Sequence, residues 1–406
     1  MANVIRWSKR AATAGNRPGA SLHELPVVHW IEDGVARSAR WRSERGAPAP
    51  KRVVVADDRM TADEAYGLAC QGTALLWRGD FQNARQMLNA LASRADHKPR
   101  KAIPQDASTA RLPPADAFHL HRQARSQRAR TLGMLLIQLD DDHGIALRRA
   151  PDLRQACAEV YGQGEGASVT SLRELLGLIG AHEWRTTGIE IPAVGGRIHP
   201  HYGVFAPIRR EYVDLVADAP LPSARSSCNL AFDIGTGTGV LAAVLARRGF
   251  ERVVATDQDP RALACARENV ERLGLALRID VVQADLFPEG RAALVVCNPP
   301  WVPARPSSPL EHGIYDPDSR MLRGFLGGLA AHLAPAGEGW LILSDLAEHL
   351  GLRTRAELLA AFDAAGLIVV DRYDVRPNHP RVADAADPLH AARAAEVTSL
   401  WRLAVR

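Results

Sequence analysis

The 406-residue chain is short of paired cysteine, of long apolar runs and of charge imbalance. Its five cysteines, Cys70, Cys157, Cys228, Cys265 and Cys297, lie scattered with no CxxC pair. That pattern excludes a disulfide framework and a zinc ribbon, and it points to a reducing compartment such as the cytoplasm. No apolar run approaches the ~18 residues that a membrane span needs. The N-terminal MANVIRWSKRAATAGNRPG lacks an apolar stretch and does not read as a secretory signal. The net charge of +4 is too small a basic excess to mark a nucleic-acid binder by itself. The excess is unevenly placed, however. Residues 1–52 carry ten Lys/Arg against four Asp/Glu, and residues 94–130 carry nine against three. Solvated faces or a nucleic-acid contact both fit such runs.

The length predicts two or three domains. Residues 1–58 read as a basic, irregular extension, with GNRPGAS and RGAPAPKR as breakers. Residues 59–185 read as a helical recognition domain. Within it, Thr61 and Glu64 form a capping-box pattern, and Phe81, Ala84, Met87, Leu88 and Leu91 keep helical spacing. The segment 117–139 reads as one long helix, basic in its first half and apolar in its second. Residues 186–206 alternate apolar and polar residues around Gly195–Gly196, which signals a β-hairpin. From 207 to 406 apolar strands alternate with helices. Strands are expected at 229–234, 252–257, 278–283, 293–297, 339–344, 366–372 and 397–405. The alternation implies an α/β domain with a mostly parallel sheet. The irregular stretch 374–396 makes an antiparallel last strand the easier connection.

The strongest local signal is LAFDIGTGTGVLAAVLARRG, residues 230–249. An apolar strand ends in Asp233, and the loop Gly235-Thr-Gly237-Thr-Gly239 leads into a helix. Without Cβ atoms such a loop turns tightly and lets a ligand press on the backbone. It follows the first strand, at the sheet edge where doubly wound folds bind ligands. The spacing is GxGxG, whereas a dinucleotide fingerprint needs GxGxxG, and no GxxxxGK[ST] occurs. Asp257 falls at the end of the second expected strand, where a carboxylate suits the two hydroxyls of an adenosine ribose. Asp285, followed by Leu286, falls at the end of the third, where it can accept from an adenine amino group. Three carboxylates along one buried edge suit a ligand with a cationic end and no phosphate.

The fourth strand runs into VVCNPPWVPARP, residues 295–306. A conjugated nitrogen is a poor nucleophile because its lone pair is delocalised. Two acceptors that hold both of its N–H bonds aim that lone pair at an electrophilic methyl. Asn298 can supply one through its side chain, and the Pro299 carbonyl can supply the other. The prolines fix φ and hold Asn298 extended. That is catalysis by positioning and oriented dipoles rather than by a strong base. Trp301 offers a flat face for a planar amide or base.

DIGTGTG, TDQDP, QADLF and NPPW, in that order, resemble the class I S-adenosylmethionine-dependent methyltransferases, over roughly residues 186–406. The resemblance implies a Rossmann-like seven-stranded sheet with an antiparallel last strand. It also implies S-adenosyl-L-methionine as cofactor, held by Asp233, Gly235, Gly237, Gly239, Asp257, Asp285, Leu286 and Asn298. Catalysis would fall to Asn298, Pro299 and Trp301, with no metal. The NPP-aromatic motif narrows the resemblance to enzymes that methylate amino and amide nitrogens. The order helical domain, hairpin, catalytic domain resembles the release-factor glutamine N5-methyltransferases. FAPIRREY (205–212) is similar to their substrate-side segment, although Trp301 stands where that family has Tyr. The basic runs 1–52 and 94–130 favour instead a resemblance to the ribosomal RNA guanine-N2 and adenine-N6 methyltransferases, whose target base leaves its stack. The expected partner is therefore a macromolecular methyl acceptor, a protein glutamine ahead of an RNA base. A non-catalytic cofactor- or RNA-binding module is a further alternative. His379, Asp384, Asp387 and His390 match no metal-ligand spacing.

Overall fold

The computed structural model describes residues 25–96, 112–306, 311–377 and 387–406. Two sheets organise them. The C-terminal sheet has seven strands in the order Ile279–Gln283, Arg252–Asp257, Leu230–Ile234, Ala292–Cys297, Leu333–Ser344, Thr398–Val405, Leu367–Val375. The first five are parallel, and Thr398–Val405 runs antiparallel to both of its neighbours. All seven expected strands are present, and the antiparallel placement of the last is as the sequence predicts. The central strands read as unbroken apolar runs because helices cover both faces. Phe232, Val295 and Trp340 are fully buried there. Each such side chain contributes roughly 1.5–3 kcal/mol by leaving water.

Strand order reverses between Leu230–Ile234 and Ala292–Cys297. Loops leaving those two strands diverge to opposite sides and open a crevice at the carboxyl edge. Register places Val296 beside Asp233 and Cys297 beside Ile234, so Asn298 leaves the sheet level with Gly235. The hairpin is also present, as Ile189–Ile191 paired with Gly196–Ile198.

The N-terminal half departs from the expectation. Residues 1–58 are not irregular where they are described, and 59–185 is not an all-helical domain. A six-stranded mixed sheet runs Val27–Glu32, Val35–Trp41, Ser168–Ser171, Leu135–Leu139, Thr73–Trp77, Arg52–Ala56. Helices Phe81–Asp96 and Leu172–Thr187 pack on it, with Phe81, Ala84, Met87, Leu88 and Leu91 buried. Two sequence signals explain the difference. Asp33 and Gly34 both take positive φ, 51° and 75°, the turn that Asp-Gly makes between twisted antiparallel strands. The expected helix over 117–139 ends at Leu132, Gly133 caps it, and the apolar remainder becomes the strand Leu135–Leu139. A buried five-residue run carries no period of its own, so its strand identity comes from the sheet that receives it.

The two halves meet around helix Pro114–Leu132. Its Phe118 is buried with Val302, Leu350 and Leu389. Arg122 lies 4.2 Å from the Tyr315 ring centre and donates to the Arg305 carbonyl at 2.6 Å. The helix thus braces the segment that follows NPPW.

Candidate cofactor and acceptor site

The crevice at the strand reversal is a cavity of about 400 Å³. Gly235, Gly237, Asp257, Leu286, Asn298, Pro299, Pro300 and Trp301 line it. Asp233, Gly239 and Asp285 do not, and each departs from its expected role for a visible reason.

Asp233 is 1% exposed and lies behind the glycine loop. Its Oδ2 accepts from the Thr236 hydroxyl at 2.6 Å and from the Ala242 amide at 2.9 Å. It therefore holds the loop against the first turn of helix Val240–Arg247 and does not line the cavity. Burial pushes its carboxyl up to about 6, against the opposing pull of those two donors. Gly239 serves packing. It has a φ of 81°, and a Cβ there would sit 3.3 Å from Ala266 on the neighbouring helix. Asp285 is exposed and not on a buried edge. Its carboxylate accepts from Gln258 Nε2 at 2.8 Å and lies 3.6 Å from Arg320. Its neighbours Ala284 and Leu286 line the cavity. The strand ends at Gln283 and the chain bends through Asp285 and Leu286, which leaves the Asp285 carboxylate in solvent while its neighbours line the wall.

Asp257 keeps its expected place. Its Oδ2 accepts the Gly237 amide at 3.0 Å, and its Oδ1 accepts the Asp259 amide at 3.0 Å. Each oxygen retains a second lone pair, which is what a pair of vicinal hydroxyls requires. Burial raises its carboxyl above the usual range, and the two backbone donors work against that rise. Gly237 has a φ of 55°, and a Cβ there would meet no protein atom within 4 Å. Leu286 is a non-glycine residue at φ 74°, with its carbonyl accepting from the Thr256 hydroxyl at 2.5 Å. A strained residue against a ligand cleft is a common way to fix a wall. The donors and acceptors present fit an adenosine-type ligand: a glycine loop open to close approach, and a carboxylate with two free lone pairs.

On the opposite wall, Trp301 Nε1 donates to Asn298 Oδ1 at 2.9 Å. That bond fixes which end of the amide is oxygen and leaves one lone pair of Oδ1 for an acceptor N–H. One face of the indole is covered by Arg209, whose guanidinium carbon is 4.9 Å from the ring centre. Trp301 is therefore a brace for Asn298 before it is a stacking platform. Cys297 is fully buried, and burial holds its thiol well above the ordinary range, so it is inert.

Residues 197–350 match the family described as Methyltransferase small domain. This stretch of the chain is a methyltransferase domain. A Ribosomal protein L11 methyltransferase from Pelotomaculum thermopropionicum is 40% identical over 144 residues, 35% of this chain and 39% of the relative. A Release factor glutamine methyltransferase from Cereibacter sphaeroides is 34% identical over 176 residues, 40% of this chain and 58% of the relative. The chain thus spans well under two thirds of either relative. S-adenosylmethionine is the cofactor that fits this methyltransferase domain.

Sequence reasoning missed Thr236, Thr256 and Glu396. Thr236 and Thr256 brace the loop and the Leu286 turn. Glu396 lines the cavity from the start of the final strand, more than ninety residues from NPPW, and no motif marks it. Arg209, in FAPIRREY, is a plausible substrate contact by sequence, and the structure places it over the Trp301 indole, paired with Glu211 and Glu396. Among the described residues, no group of three or more His, Cys, Asp or Glu is placed to hold a metal. His379 and Asp384 lie outside the described residues. Likewise, no described helix is long and apolar enough to cross a membrane.

Proposed function

We propose that the chain is an S-adenosylmethionine-dependent N-methyltransferase acting on a planar amide of a protein, a glutamine side chain. The observation that carries this reading is Asn298, held at the cavity wall by Trp301 on the far side of the crevice from Asp257. When bound, the cofactor supplies the electrophilic methyl group. Asn298 Oδ1 accepts one N–H of the acceptor amide, and the Pro299 carbonyl accepts the other. The two acceptors orient the nitrogen lone pair and stabilise the positive charge that develops on it. No strong base is needed, because the proton leaves a cationic nitrogen after transfer.

Charge pairing favours a protein over a polynucleotide. The guanidinium groups near the cavity are neutralised within the chain: Arg209 by Glu211 and Glu396, Arg393 by Asp387, Arg320 by Asp285. In the basic helix, Arg122 pairs with Glu311 and Arg128 with Asp96. A phosphate backbone would have to displace these carboxylates. Both relatives are also named for protein acceptors, a ribosomal protein and a release factor.

The test is Asn298→Ala. Loss of one pre-aimed polar group at a reacting centre costs about 10²-fold or more in turnover. Cofactor affinity measured by titration should stay within twofold, because Asp257 and the glycine loop are untouched. Parallel loss of both would make Asn298 structural and defeat the assignment.

A further inference from the structure

Glu396 follows the short helix His390–Ala395 and is 3% exposed, yet it lines the same cavity as Asn298 and Trp301. Its Oε1 accepts from Arg209 Nη1 at 3.0 Å and from the Ser344 hydroxyl at 2.7 Å. No hydrogen bond from the described residues reaches its Oε2. Arg209 cannot serve both oxygens. Its Nε is held by Glu211 at 2.6 Å, and its Nη2 reaches the Thr398 hydroxyl at 3.4 Å. Two carboxylates therefore share one guanidinium. Nearby lining residues Phe205, Leu346 and Pro377 are apolar and supply no side-chain donor. Arg393 also lines the cavity, with its Nε committed to Asp387 at 2.7 Å.

A carboxylate oxygen at the cavity wall with no donor from the described residues is open to a donor that a ligand brings. The cofactor loop and Asp257 occupy the other side of the crevice, so the donor belongs to the methyl acceptor. We infer that Glu396 reads the acceptor, its Oε2 taking a main-chain N–H of the polypeptide segment that carries the methylated glutamine. The inference rests on the protein-amide reading above and adds a specificity residue to it. Arg209 then has two tasks: it fixes the Glu396 carboxylate by one oxygen, and it covers the indole that aims Asn298.

Glu396→Gln tests this with little rearrangement. The Arg209 and Ser344 donors both point at the Oε1 position, so the amide oxygen settles there and the NH₂ group replaces Oε2. An acceptor site becomes a donor site at that one atom. Methyl transfer is measured from tritiated S-adenosylmethionine to ribonuclease-treated total protein from a strain lacking the gene, as a function of protein concentration. The half-saturating concentration should rise about tenfold or more, the scale of losing a buried charge-assisted hydrogen bond. The saturating rate should stay within threefold, and cofactor affinity should not change. Ser344→Ala removes the bond to Oε1 and the acceptor of the Leu346 amide, leaves Oε2 untouched, and should raise half-saturation less than threefold. Unchanged half-saturation in Glu396→Gln overturns the inference. An equal rise in the two variants also overturns it, by making Glu396 a structural brace. If the wild type binds cofactor but labels no protein, the protein-amide reading fails, and this inference fails with it.

Discussion

Asp257 and Asp285 look alike in sequence, each ending a strand beside the glycine loop, but the structure separates them sharply. Asp257→Ala removes the acceptor of the Gly237 amide as well as the two lone pairs that a ribose in the cavity would use. Leaving ligand donors unpaired costs about 1–3 kcal/mol, and loss of the loop anchor moves the expected value toward the upper end. That range corresponds to a rise of roughly 5- to 150-fold in Kd. Asp285→Ala removes only an exposed carboxylate paired with Gln258 and Arg320. Surface pairs of that kind contribute about 0–1 kcal/mol, mostly to the fold rather than to a ligand, so its Kd should move less than threefold. Isothermal titration of S-adenosylhomocysteine into each variant reads both numbers. Equal losses in the two variants would refute the geometry, and unchanged affinity in Asp257→Ala would remove the cofactor assignment.

Trp301→Phe keeps an aromatic ring under Arg209 but deletes the N–H that holds Asn298. Turnover should fall about 5- to 30-fold, the reach of one lost hydrogen bond, with cofactor affinity unchanged; an unaltered rate would show that the prolines alone aim the amide. Asp233 gives a pH signature. Its folded carboxyl, raised to about 6, keeps its proton where the unfolded chain has already released it. Stability should therefore fall as pH rises from about 4 to about 6, by roughly 3 kcal/mol, and level off above that. Asp233→Asn should abolish that slope in denaturant titrations, because its amide oxygen still accepts from Thr236 and Ala242; parallel pH profiles would contradict the buried brace.

The C-terminal domain was legible because its information is local. Apolar runs of five or six residues, a glycine loop and a proline pair each specify their own backbone, and alternation fixes their order. The N-terminal sheet was hidden for the opposite reason. Thr73–Trp77 and Leu135–Leu139 are buried on both faces, so they show no alternation, and each abuts a helix whose pattern absorbs it. Asp33-Gly34 is a local strand-pair signal that the irregular reading of residues 1–58 passed over. At the site, residue identity was readable but side-chain direction was not. Asp233 and Asp285 follow the expected strands yet do not line the cavity, one lying behind the loop and one exposed to solvent. Glu396 and Arg209 reach the site through tertiary contacts that no spacing rule encodes.

The central claim is that the methyl group goes to a protein amide. Extract from a strain lacking the gene, incubated with this protein and tritiated S-adenosylmethionine and then split into protein and RNA, tests it most directly. The account predicts label in the protein fraction, resistant to ribonuclease and recovered as methylated glutamine after digestion. Label in RNA that disappears on ribonuclease treatment would contradict it.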